Sequence, residues 1–93
     1  MKLSGKIMKV EEREFTTKQG EKSKVKGVLL QEITNDQYPQ QAYIEYFGKW
    51  ADEFVYQPGQ VIVARFSFKV DEREHEGKKY YTQKLSGWRA ELV

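Results

Sequence analysis

The chain alternates apolar and polar residues over most of its length, the period expected of strands that bury one face. Leu3, Gly5 and Ile7 begin this alternation, and Val10 breaks its phase, so the first strand, Leu3 to Phe15, is predicted to carry a bulge. Thr16 to Glu21 form a turn, with Gly20 supplying a positive φ. The second strand spans Lys22 to Ile33; Val25, Val28, Leu29, Leu30 and Ile33 leave its inner face undecided. A loop over Thr34–Pro39 follows, because Pro39 cannot donate to a central ladder. In the third strand, Gln40 to Phe47, Ala42, Ile44 and Tyr46 share one face. Tyr43, Glu45 and Phe47 share the other, and Glu45 marks that side as outward.

The period changes once. Trp50, Ala51 and Phe54 make an apolar stripe at helical spacing within Gly48–Val55, ended by Pro58-Gly59. The fourth strand runs from Gln60 to about Glu72. Val61 and Val63 set one phase there and Phe66, Phe68 and Val70 the other, which predicts a second bend or bulge at Ala64-Arg65. Glu74 to Lys78 form a hairpin tip around Gly77, and the fifth strand continues from Lys79 through Trp88 to Leu92, bending at Gly87. Three strands, a short helix and two strands, with long bent members, predict an all-β fold: a five-stranded OB-fold barrel, residues 1–93 forming one domain. An SH3-like barrel competes but does not normally carry a helix at that point.

Composition narrows the function. The 93 residues are 39% hydrophobic and 32% charged, enough for one core under a polar surface. With no cysteine, disulfides, thiolate metal sites and cysteine nucleophiles are excluded. Met1 to Val10 hold no long apolar run and no stretch approaches the ~18 apolar residues of a membrane span, so no signal peptide and no membrane segment are expected, and the cytoplasm is the expected location. No nucleophile elbow, phosphate loop, zinc-ligand cluster or histidine-centred triad occurs; no enzyme, cofactor or metal is expected. His75 stands alone at a hairpin tip. The net charge of +2 makes the placement of charges matter more than their number.

Single-stranded nucleic acid is held by aromatics that stack on bases and cations that follow phosphates. Tyr43 and Phe47, on one face of the third strand, fit the first need; packing under the first turn or at a dimer contact is the competing role. Lys22, Lys24 and Lys26, on one face of the second strand with Lys18 nearby, fit the second, against a solvated edge guarded by lysines. In the last hairpin Lys78, Lys79 and Tyr80 are candidates, with Arg65, Lys69, Arg73 and Tyr81 beside them. Asp71, Glu72, Glu74 and Glu76 intervene and are expected to pair across the strands. Of the two tyrosines, Tyr80 is expected outward and Tyr81 inward. Trp50, Phe54 and Trp88 are expected in the core. The acidic run Glu11, Glu12 and Glu14 counts against a uniformly basic surface.

The stretch Tyr46-Phe47-Gly48-Lys49-Trp50-Ala51-Asp52-Glu53-Phe54, followed by Pro58-Gly59-Gln60-Val61-Ile62-Val63, resembles the bacterial single-stranded DNA-binding proteins. Tyr80-Tyr81-Thr82 resembles their last strand. The chain is more closely similar to short stand-alone bacterial OB proteins of uncharacterised function, in Ser4-Gly5-Lys6, Gln37-Tyr38-Pro39, Arg73-Glu74 and Gly77. The resemblance implies an OB fold and a base-stacking Phe47. A tryptophan earlier in that strand also stacks in the family; Gln41 stands at its position here, so one platform is missing. The family's acidic C-terminal tail, which recruits protein partners, is not expected in a chain ending at Val93. The expected function is a non-catalytic module binding single-stranded DNA, with RNA and a homo-oligomer left open. The alternative is an OB protein-interaction or assembly domain with no nucleic-acid ligand.

Overall fold

The computed structural model describes Met1–Val93. Five strands and one helical turn follow in the order β1 (Lys2–Thr16), β2 (Lys22–Gln31), β3 (Gln41–Phe47), α1 (Lys49–Glu53), β4 (Val61–His75) and β5 (Lys78–Leu92). The strands close into a barrel in the order β1-β2-β3-β5-β4, with β4 returning to β1. All pairings are antiparallel except β3 with β5, which are parallel over Ile44↔Leu85, Glu45↔Ser86 and Tyr46↔Gly87. Five strands closed in this order, with a helix between the third and fourth, make an OB fold. No helix is long and apolar enough to cross a membrane.

The core is the inner row of each strand. Ile7, Val28, Leu30, Ile44, Tyr46, Ile62, Ala64 and Phe66 fill the barrel, and Ala51 and Phe54 plug one end. An alanine at a site as buried as Ile44 or Ile62 costs about 2–5 kcal/mol, through lost transfer energy and the cavity left behind. The phase break in β1 is real. Its register with β2 shifts between Ile7 and Lys9, leaving Met8 as the extra residue. That shift carries the inner row from Ile7 to Val10, which packs on the core.

Several expectations need correction. Ile62, Ala64 and Phe66 form an unbroken inner row in β4, so the phase does not slip at Ala64-Arg65, although the β4–β5 register does shift there, between Arg65 and Phe66. Val61 and Val63 are half-buried on the outer side; β-branched residues suit such pleated positions and imitate core in the sequence. The irregularity lies on the partner strand. Arg65 opposes Arg89 and Phe66 opposes Gly87, so Trp88 is an extra residue in β5. Trp88 is accordingly 40% exposed rather than core, and Trp50 is only half-buried. β2 ends at Gln31, and Ile33 beyond it is exposed.

Beyond Phe66 and Leu85, β4 and β5 leave the barrel together as a two-stranded arm. A tight turn reverses the chain between His75 and Lys78, with φ of 53° at Glu76 and 76° at Gly77. Glycine takes that left-handed conformation freely, whereas a glutamate there is uncommon. Phe68 and Val70 continue the inner row of Phe66 but pass no core, so both are exposed. Tyr80 and Tyr81 are both exposed for the same reason, contrary to the expected inward Tyr81; they sit on opposite faces of the arm.

Candidate nucleic-acid interface

Directly opposed residues of neighbouring strands share a face, so the register sorts the candidate residues. On the outer side, β3 presents Tyr43, Glu45 and Phe47 opposite Leu29, Gly27 and Val25 of β2. Across β2 lie Glu11, Arg13 and Phe15 of β1. Phe15 and Phe47 meet edge to face at 6.3 Å between ring centroids. Together they lie over Val25, which is 5% exposed although outside the main core cluster. Packing under the first turn thus does involve Phe47, yet 37% of it stays open to solvent. Tyr43 is 42% exposed, and its phenol end lies over Gly27, where a Cβ would overlap the hydroxyl. Its ring is braced on the sheet and still open to solvent.

The charges on this patch cancel. Arg13 Nη2 donates to Glu45 Oε2 at 2.9 Å, and Lys9 Nζ lies 2.9 Å from Glu11 Oε1. The Lys9 ammonium draws the Glu11 carboxyl below its ordinary range, by hydrogen bond first and charge second, and Lys9 is raised in return. Gln41, in the same outer row, donates from its amide to Gln31 Oε1 at 2.9 Å and offers no ring.

The lysines of the first hairpin do not join this face. Lys22, Lys24 and Lys26 oppose Thr16, Glu14 and Glu12, in the row that leads into the barrel. Lys24 lies 3.8 Å from Glu12, and Lys26 Nζ donates to the Phe54 carbonyl at 2.6 Å, tying β2 to the end of the helical turn. Lys79 faces the same way as Tyr81 and lies 3.4 Å from Glu72.

The outer row of the arm is different. Lys69 opposes Lys84, Asp71 opposes Thr82, Arg73 opposes Tyr80 and His75 opposes Lys78. This face holds Lys69, Arg73, Lys78 and Lys84 against one carboxylate, Asp71, which lies 2.9 Å from Lys84. The Lys84 hydrogen bond holds Asp71 below its usual value of 3.8. Tyr80, 50% exposed, stands among these cations. The β3–β5 pairing joins the two patches. Glu45 aligns with Ser86, and two residues earlier on each strand in the same outward row lie Tyr43 and Lys84. One surface therefore runs from Phe15, Phe47 and Tyr43 across Ser86 to Lys84, Lys69, Arg73, Tyr80 and Lys78.

Of the sequence candidates, this surface unites Tyr43, Phe47, Tyr80 and Lys78 and leaves out Lys22, Lys24, Lys26 and Lys79. Phe15 and Lys84 had been missed. Phe15 was recoverable from parity, since it lies out of phase with Val10 beyond the bulge. Lys84 becomes a neighbour of Tyr43 only through a pairing of non-consecutive strands.

The profile of a family described as a domain of unknown function (DUF3127) matches residues 2–91. No curated protein sequence matches significantly. Among solved structures, the solution structure of the second OB-fold domain of replication protein A from Methanococcus maripaludis superposes with a TM-score of 0.65 at 16% identity. That match covers 99% of this chain and 81% of the other.

Proposed function

The chain belongs to the DUF3127 domain family, and we propose that it is a cytoplasmic module that binds single-stranded nucleic acid, DNA foremost, without catalysing a reaction. The observation that supports this is the continuity of the outer β3–β5–β4 surface. Braced, half-exposed rings at Phe47 and Tyr43 adjoin a strip bearing Lys84, Lys69, Arg73 and Lys78. Bases stack on such rings with about 1–3 kcal/mol each, whatever their identity, while the cations follow the phosphates. Tyr80 supplies a further ring among the cations. The similar OB-fold domain comes from a replication protein A, which is compatible with this use of the fold.

Fluorescence anisotropy of labelled oligo-dT, with RNA and duplex of equal length, tests the reading at two salt concentrations. Micromolar binding of the single strands at low salt, weakened about tenfold by Tyr43→Ala or Phe47→Ala, is expected. No anisotropy change with any single strand at low salt would sink the proposal.

A further inference from the structure

Both tryptophans of the chain border one cleft, between α1 and the last part of β5. Trp50 comes from the helical turn. Trp88 is the extra residue of the β5 bulge, a device that re-aims a side chain without ending the strand. Tyr46 and Phe54, both buried, form the floor, and the Tyr46 hydroxyl is already spent on the Arg89 carbonyl at 3.2 Å. Two adjoining hollows of about 230 and 290 Å³ share Trp50, Glu53, Trp88 and Arg89. Pockets for drug-sized ligands run from about 300 to 1,000 Å³, so each hollow suits one side chain or one flat ring.

Charge chooses between these. Arg89 Nε is bound to Glu91 Oε1 at 2.6 Å, and that pair cancels. Glu53 is exposed at the rim and has no cationic partner. The residues that line the cleft thus carry one unpaired charge, the Glu53 carboxylate, with the Lys49 ammonium beside them, in a chain of net charge +2. Indole faces attract cations through their quadrupole. The molecule already uses this: Lys49 Nζ lies 4.5 Å from the centre of the Trp50 ring. A nucleic-acid strand would instead bring phosphates against Glu53. We propose that the Trp50–Trp88 cleft receives a cationic side chain, arginine or lysine, from a protein partner, independently of the β3–β5–β4 surface.

Because the chain has no other tryptophan, intrinsic fluorescence reads the cleft directly. The full chain is titrated with acetyl-Gly-Arg-Gly-amide and its lysine analogue to about 10 mM, the range in which a single side-chain contact saturates. Acetyl-Gly-Gln-Gly-amide and oligo-dT are the comparisons. A saturable change with a cationic peptide and none with the glutamine peptide is expected. Glu53→Gln, an exposed change that leaves the circular dichroism spectrum intact, should weaken it about fivefold without altering oligo-dT anisotropy. No saturable response to either cationic peptide, an equal response to glutamine, or an unchanged affinity in Glu53→Gln overturns the proposal. So does an oligo-dT titration that saturates the tryptophan signal and blocks the peptide, because the cleft would then belong to the strand site.

Discussion

Gly27 and Gly87 each lie under a tyrosine ring, but the two rings differ in their freedom to move. A Cβ at Gly27 would meet the phenol end of Tyr43, which is half-exposed and can swing away. A Cβ at Gly87 would meet the ring of Tyr46, which is 1% exposed and walled in by Phe54 at 4.8 Å between centroids. Gly87→Ala is therefore expected to lose about 2–3 kcal/mol of stability by overpacking. Gly27→Ala should lose under about 1 kcal/mol and yet weaken oligo-dT binding, because it unseats the ring proposed to receive a base. Urea unfolding and anisotropy on the same two variants check the separation. Burial keeps the Tyr46 hydroxyl far above its ordinary pKa, so it remains a neutral donor to Arg89.

Among the elements, the β4–β5 arm carries most of the free positive charge of the proposed interface, and Asp71 is its one counterweight there. By NMR, the Asp71 carboxyl is expected to titrate below 3.8, and Lys84→Met should return it upward. What this exposed pair adds to stability is present above the ordinary carboxylate value and is lost as pH falls through the depressed midpoint. Asp71→Asn releases Lys84 and should tighten oligo-dT binding at low salt; unchanged or weaker binding would remove Lys84 from the interface. The strands themselves were legible in the sequence because alternation declares which side of a strand is apolar. It does not declare depth. Phe68 and Val70 keep the inner phase of Phe66 after the barrel has ended beneath them, and Tyr81 was misjudged on the same ground. The Trp88 bulge was disguised because Trp88 falls in phase with Ala90 and Leu92 and so imitates a core position. The first-hairpin lysines were conspicuous by density in sequence, whereas Lys84 enters the proposed site through the parallel neighbour of β3.

As a whole, the molecule measures 44 × 32 × 19 Å, with a radius of gyration of 14.8 Å against about 12 Å for a compact chain of its length. The excess reflects hairpins reaching beyond the barrel, and it lengthens the proposed interface. Four arm cations predict a finite salt response. If Lys69, Arg73, Lys78 and Lys84 each meet a phosphate, log affinity should fall with log salt at a slope of about −3. Lys69→Gln with Lys78→Gln should halve it, whereas Lys22→Gln with Lys24→Gln should leave it unchanged. A slope that follows the second pair would relocate the phosphate path to the first hairpin.

The seam between β3 and β5 rests on three residue pairs, beside ten between β1 and β2. A cylinder fastened so briefly along one line can part there while the remaining ladders stay intact, because little hydrogen bonding is given up. Its clasp is Tyr46, lying over Gly87 and reaching the Arg89 carbonyl. Amide protons at the seam should therefore exchange with deuterium sooner than those of the β1–β2 ladder, and Tyr46→Phe should widen that gap. Each opening bares two unpaired backbone edges at once, the form in which a closed sheet can accept a foreign strand or trade one with another copy.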